Sequence, residues 1–162
     1  MSDHATSSAP DFVWNDTYLL GYGPIDDEHR EFVETVHAIQ VAADDQVAAC
    51  LEAFAEHAKG HFEMENAMMV ETEFPARDCH IDEHAAVMKS VEQVREVVAR
   101  GDFNEGRRLA AELERWFPGH ADYLDSALAQ WMCKRSLGGK PVVIRRNILA
   151  ATRSGEELAV KS

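Results

Sequence analysis

The stretch HFEMENAMMVETEFPARDCHIDEH, residues 61–84, decides the fold of this 162-residue chain. It begins with a histidine and a glutamate four positions apart, His61 and Glu65, and it ends with His80 and His84 at the same spacing. Residues four apart lie on one face of an α-helix, about one turn from each other. Because Phe74-Pro75 interrupts the helical pattern between the two pairs, the stretch predicts two helices joined by a short turn.

Apolar residues recur at intervals of three and four on both sides of this stretch, which is typical of helices buried along one stripe. Four such segments can be laid out, and the breaks between them fall at Asp44-Asp45, Phe74-Pro75 and Arg100-Gly101-Asp102. Short connections between helices favour antiparallel neighbours. The sequence therefore predicts an all-α fold, an up-down-up-down antiparallel four-helix bundle.

The chain has enough apolar residues for one sizeable core, since 46% of its 162 residues are hydrophobic. We expect a flexible N-terminus over residues 1–11 and a single bundle domain over 12–133. An irregular arm over 11–24, closed by Gly21, Gly23 and Pro24, leads into the first helix. Residues 134–162 form a basic C-terminal extension, with seven Lys and Arg against two Glu.

Composition excludes several classes of protein. A formal net charge of −13 argues against binding of nucleic acid or of an anionic membrane surface by the bundle. No apolar run is long enough to span a membrane, and the short, polar N-terminus does not resemble a secretion signal. The three cysteines are widely spaced, as expected for reduced thiols. We therefore expect a soluble, cytoplasmic protein.

Six polar residues lie on the helix faces that the apolar pattern predicts to be buried. Burial of an imidazole or a carboxylate without partners costs several kcal/mol, so a set of them in one small core needs a common explanation. In an antiparallel bundle their distances from the turns place them in one layer, about 22–28 Å from the opposite end. The residues of this set are His29, His61, Glu65, His80, His84 and His120.

Convergence of these side chains predicts a metal centre, and the number of ligands favours two ions. Ligand softness alone leaves iron, zinc and copper open, because the set mixes nitrogen and oxygen donors and has no thiolate. After His120 the carboxylate candidates are Asp122 and Asp125. Helical periodicity alone would not choose Asp125, although Pro118-Gly119 should loosen this turn.

Four pieces of the sequence resemble bacterial hemerythrins over about residues 12–132. They are WNDTYLLGYGPIDDEHREF (14–32), HFEME (61–65), HIDEH (80–84) and WFPGHADYLD (116–125). The resemblance implies two iron ions, with His80, His84 and His120 on one and His29 and His61 on the other. Glu65 and Asp125 would bridge them together with a solvent-derived oxygen. Dioxygen would then bind at an open position on the iron with two histidines.

The resemblance also implies an apolar oxygen pocket formed by Phe32, Phe62, Trp116 and Phe117. The chain departs from the family pattern at Pro118-Gly119 and at Ala121, where a smaller residue would widen that pocket. The leading hypothesis is a non-enzymatic protein that binds dioxygen reversibly for storage, delivery or sensing. The alternatives are a di-iron enzyme that reduces peroxide or nitric oxide, and a sensing module whose residues 134–162 contact a protein partner.

Overall fold

The structure is a computed structural model that describes residues 12–136, and every regular element in that range is helical. The elements are a short 3₁₀ helix (Asp16–Tyr18), α1 (Gly23–Val41), α2 (Asp44–Glu71), α3 (Arg77–Ala99), α4 (Phe103–His120), a π-helix (Ala121–Asp125) and α5 (Ser126–Ser136). The last three follow one another without a break and form the fourth helix of the bundle. Because α1 packs on α2 and α4, and α3 packs on the same two helices, the predicted antiparallel four-helix bundle is confirmed.

Two apolar clusters fill the interior, one on each side of the layer of histidines and carboxylates, which we call the polar layer. The larger cluster contains Phe32, Phe54, Phe62 and Phe117. The smaller contains Ile25, Met69, Phe74, Leu128 and Ala129. On α1, α2 and the fourth helix, the chain passes from one cluster to the other through the histidines and carboxylates. Along the bundle axis, the polar layer is therefore enclosed by apolar packing on both sides.

Two of the predicted boundaries were wrong by a few residues. Asp44 and Asp45 form the first turn of α2, where their charges suit the positive end of the helix dipole, and the break falls at Ala42-Ala43. The arm ends at Tyr22, because Gly23 and Pro24 already belong to the first turn of α1. Proline suits this position, since the first helical N–H groups have no partner within the helix.

The other two connections lie where the sequence predicts them. The link from α2 to α3 spans 72–76 and includes Phe74-Pro75. The link from α3 to α4 contains Gly101, whose φ of 100° lies in the left-handed region that favours glycine. Both turns are short, and the antiparallel arrangement follows from them.

The N-terminal arm packs its aromatic side chains on the bundle, beside the polar layer. The rings of Phe12 and Tyr18 contact Phe117 at centroid distances of 5.8 and 5.4 Å. Asp26 in α1 holds the end of the arm, because its carboxylate accepts hydrogen bonds from the backbone N–H groups of Leu20 (2.8 Å) and Gly21 (3.0 Å).

Replacing Asp26 with alanine is expected to destabilise the protein by about 2–3 kcal/mol, because two hydrogen bonds to a buried charged group are lost. This corresponds to a thermal midpoint roughly 5–10 °C lower, measured by circular dichroism. Asp27→Ala is the matched control, since Asp27 is the exposed neighbour in the same turn. Equal midpoints for the two variants would contradict this function of Asp26.

Both ends of the chain lie largely outside the described residues. The predicted flexible N-terminus, 1–11, is not described, and of the basic extension, 134–162, only the first three residues are. Those three continue α5 as far as Ser136. Among the described helices none is long and apolar enough to cross a membrane.

Candidate metal centre

The seven predicted ligands meet in one buried layer. His29 comes from α1, His61 and Glu65 from α2, His80 and His84 from α3, His120 from the end of α4, and Asp125 from the π-helix. Each residue is at most 4% exposed. The structure therefore brings together the whole set that the sequence predicts.

The π-helix explains the spacing of His120 and Asp125. Its backbone bonds run over five residues, as in the bond from the N–H of Ser126 to the carbonyl of Ala121. This wider turn brings Asp125 Oδ1 within 3.1 Å of His120 Nε2. Asp122, the other candidate, is exposed. The turn between His120 and Asp125 is therefore widened, as the sequence predicts, while Pro118-Gly119 itself remains within α4.

Glu65 directs its two carboxylate oxygens to different histidines. Oε1 lies 2.7 Å from His61 Nε2 and 3.8 Å from His29 Nε2. Oε2 lies 3.2 Å from His84 Nε2 and 3.5 Å from His80 Nε2. One carboxylate therefore joins a group of two histidines to a second group.

Asp125 repeats this division on the other side of the layer. Its Oδ2 lies 2.8 Å from His29 Nε2, while its Oδ1 lies 2.9 Å from His80 Nε2 and also contacts His120. Each carboxylate thus presents one oxygen to a two-histidine half and the other to a three-histidine half. Two such clusters are close enough to hold ions: His29, His61 and Glu65 form one, and Glu65, His80, His84, His120 and Asp125 form the other.

The hydrogen bonds of His84 and His120 leave the lone pairs of their Nε2 atoms directed into the layer, where a cation could bind them. His84 Nδ1 lies 2.8 Å from Asn66 Oδ1, and His120 Nδ1 lies 3.0 Å from Glu83 Oε1, so each Nδ1 carries a proton in the neutral ring. The two Nε2 atoms are then acceptors, yet they face each other at 3.2 Å. Two lone pairs at this distance repel unless a positive ion lies between them.

Buried atoms near Asp125 lead to the same conclusion. His29 Nε2 and His80 Nε2 lie within hydrogen-bonding distance of Asp125 oxygens, but neither is aligned for a hydrogen bond within the described chain. Buried polar atoms without partners are rare and call for an explanation. A metal ion shared by these donors supplies one, so the residues fit a metal centre.

Electrostatics keeps the carboxylates ionised. Burial and the charge of Asp125 both raise the pKa of Glu65, but the imidazoles of His61, His80 and His84 outweigh them and the pKa falls below its ordinary value. Burial lowers the pKa of His84, which favours the neutral ring. Ionised carboxylates and neutral imidazoles are the forms that bind metal ions.

His80 differs from His84 in the metal-free chain. Burial lowers its pKa, but the close, negatively charged carboxylates of Asp125 and Glu65 outweigh burial and raise the pKa to about 9. A proton on this ring offsets part of the carboxylate charge when no ion does so.

Aromatic rings surround the polar layer. Phe32 stacks on Phe117 at 5.1 Å and lies 6.1 Å from Trp116, which in turn is 6.3 Å from Phe62. Phe117 contacts the ring of His29 at 5.1 Å, and Phe62 contacts that of His61 at 5.3 Å. The four predicted pocket residues therefore form a connected group that contacts both halves of the layer. Phe117 lies beside His29 of the two-histidine half, while Phe62 also stacks on His84 at 4.1 Å and Trp116 stacks on His120 at 4.2 Å.

The departures from the family pattern occur in different surroundings. Ala121 is 2% exposed and belongs to the larger apolar cluster. Pro118 and Gly119 are exposed on the fourth helix. Of these positions only Ala121 is buried near the aromatic group, and whether its small side chain widens the pocket stays a prediction.

Within residues 12–136, His57 is the one additional histidine close to the layer. Its Nε2 donates to the backbone carbonyl of Glu28 at 3.1 Å, and its Nδ1 lies 3.0 Å from the carboxylate of Glu31. Glu28, His57 and His61 could also hold an ion by proximity. Because both ring nitrogens of His57 already have oxygen partners, we interpret it as a neighbour of the centre rather than a ligand.

Glu83 and Asn66 contact ligand imidazoles and were not predicted. Glu83 lies within HIDEH, and Asn66 directly follows Glu65. Their own positions carry no distinctive signal. The one feature that could have pointed to Glu83 is Trp116. A partly buried indole N–H needs an acceptor, and Glu83 Oε1 accepts its hydrogen bond at 2.9 Å.

The fold and the layer define a class: four-helix-bundle proteins with a histidine-rich, carboxylate-bridged metal centre in the core. Residues 20–132 match the family model described as hemerythrin HHE cation binding domain. The chain belongs to the hemerythrin family.

Curated relatives agree with this assignment. The chain is 35% identical over 126 residues to a bacteriohemerythrin of Ralstonia nicotianae, a match that covers 78% of this chain and 92% of that protein. It is 25% identical over 139 residues to a bacteriohemerythrin of Stenotrophomonas maltophilia, covering 78% and 90% of the two chains. A third, from Pseudomonas paraeruginosa, is 24% identical over 139 residues with the same coverage.

Proposed function

We propose that this protein binds dioxygen reversibly at a di-iron centre. His80, His84 and His120 would hold one iron and His29 and His61 the other, with Glu65 and Asp125 bridging the pair. The observation that carries the proposal is the division of the five imidazoles into a group of three and a group of two by the paired oxygens of both carboxylates.

The number of metal-binding atoms in each half supports an open position for an exogenous ligand in the two-histidine half only. The three-histidine half has three imidazoles and two carboxylate oxygens, whereas the two-histidine half has one imidazole fewer. The smaller half therefore keeps room for an exogenous ligand. A reduced di-iron centre held by these residues would supply the two electrons that dioxygen takes up on binding and returns on release.

The surroundings of the two-histidine half suit a small apolar ligand. Phe32 and Phe117 are each at most 1% exposed, and Phe62 is 4% exposed. These rings keep water and protons away from the ligand position, which favours release of dioxygen over irreversible oxidation of the centre. We assign this function to Phe32, Phe62, Trp116 and Phe117.

Family membership favours a binding protein over an enzyme, since hemerythrin-family proteins are generally oxygen-binding and not enzymatic. The three cysteines are unpaired, in keeping with a reducing compartment, and we place the protein in the cytoplasm. Storage, delivery and sensing are all compatible with reversible binding. A contact of residues 134–162 with a protein partner is a further hypothesis for the sensing case.

The test combines iron content with the visible spectrum of the reduced protein before and after exposure to air. We expect two irons per chain and a charge-transfer band that appears with dioxygen and fades on degassing. The amount of dioxygen recovered should equal the amount bound. Consumption of dioxygen or peroxide with turnover would instead favour the di-iron enzyme, and zinc in place of iron would contradict the proposal.

A further inference from the structure

Glu83 connects two parts of the site through a single oxygen atom. Its Oε1 accepts one hydrogen bond from Trp116 Nε1 at 2.9 Å and another from His120 Nδ1 at 3.0 Å. The indole and the imidazole stack on each other with their centroids 4.2 Å apart. The carboxylate on α3 thus holds a stacked pair that belongs to α4.

This contact fixes the chemical form of His120. With its proton held at Nδ1, the ring presents the lone pair of Nε2 to the centre. A carboxylate partner also increases the basicity of the opposite nitrogen and strengthens its bond to a metal ion. His84 has only the neutral amide of Asn66 in the equivalent position. Glu83 would therefore give His120 a stronger bond to a metal ion than Asn66 gives His84.

We propose that Glu83 is a positioning residue that orients His120 toward the three-histidine ion, holds Trp116 against that ring and lowers the reduction potential of the centre. The effect on potential follows because a more basic imidazole stabilises the more highly charged ferric ion. The assignment of iron rests on the proposed function, but the orientation of His120 would apply to any divalent ion bound there.

The variants Glu83→Gln and Glu83→Ala separate hydrogen bonding from charge. Glutamine keeps an oxygen that can accept both hydrogen bonds, whereas alanine removes the acceptor. Asp82→Asn is the matched control, because Asp82 is the exposed neighbour on α3 and its change removes the same charge. Circular dichroism of the helices checks whether each variant is folded. Should the alanine variant fail to fold, the comparison of Glu83→Gln with Asp82→Asn tests the proposal by itself.

Zinc affinity of the metal-free protein, measured by competition with a chelator, is the first measurement. We expect about 10–100-fold weaker binding for Glu83→Ala and a smaller loss for Glu83→Gln. The nitrogen-proton signal of the Trp116 indole, followed by NMR in the zinc-bound protein, should move in Glu83→Ala. In Asp82→Asn both quantities should equal those of the wild type.

The reduction potential of the iron-loaded protein is the second measurement, and it should rise in Glu83→Gln relative to Asp82→Asn. Wild-type zinc affinity and potential in the Glu83 variants would overturn the proposal. Failure of the oxygen-binding function would look different, since the wild type itself would then lack a reversible band while its zinc affinity still depended on Glu83.

Discussion

With the proposed di-iron centre, a protein carrying Glu65→Ala is expected to keep its helices and to retain less than about one-tenth of the wild-type iron. Glu65 lies between the two groups of histidines, and its oxygens approach both. Removal of a residue that merely orients a ligand weakens metal binding about 10–100-fold, so loss of a bridging ligand should exceed this range. Iron analysis after desalting measures the effect.

Glu63→Ala provides the control for this variant. Glu63 is exposed on the same helix, two positions away, and its replacement removes an equal charge. It should therefore bind as much iron as the wild type. Retention of both ions by Glu65→Ala would contradict the assignment of Glu65 as a shared ligand.

Much of this centre could be predicted because helix geometry is regular. Spacings of four residues place His61 with Glu65, and His80 with His84, on single helix faces. The constant rise of a helix then brings residues of antiparallel helices to one level when their distances from the turns agree. No detail of side-chain packing is needed for either inference.

Asp125 shows where this regularity ends. A straight α-helix turns Asp125 away from the face of His120, and only resemblance to a family selected it over Asp122. The π-helix over 121–125 restores a common face by inserting one additional residue into the turn. Periodicity assumes a constant number of residues per turn, so it cannot reveal such an insertion.

Glu83 was missed for a different reason. Its function depends on which side chains of α4 face α3, and the partners are 33 and 37 positions away in the chain. A sequence pattern on one helix contains no information about this relation. The small shifts of the predicted boundaries at Asp44-Asp45 and at Pro24 have a local cause, since acidic residues and proline are compatible with both a turn and the first turn of a helix.

Removal of the metal is expected to cause the largest loss of stability. An ion that binds only the folded chain stabilises it by about 4 kcal/mol when its free concentration is about 1,000 times the dissociation constant. Two ions at one centre should exceed the effect of either alone. We therefore expect the thermal midpoint of the chelator-treated protein to be at least roughly 10 °C lower than that of the iron-loaded protein.

The Glu65→Ala variant separates this effect from other actions of the chelator. Because it is expected to hold little iron, its thermal midpoint should hardly change on chelation, whereas that of Glu63→Ala should fall as in the wild type. Equal sensitivity of the two variants would show that the chelator acts elsewhere. An unchanged wild-type midpoint, with iron loss verified by analysis, would contradict a stabilising contribution of the metal.

The metal-free protein should nevertheless remain folded, because the apolar clusters above and below the layer do not depend on the ion. The layer itself should become the least stable part, since it contains facing lone pairs and buried atoms without partners. We expect the π-helix to open first in this region, because its wide turn departs from regular helical bonding. Hydrogen exchange should therefore accelerate most at residues 121–126 on metal removal, and uniform acceleration over the bundle would argue against this localisation.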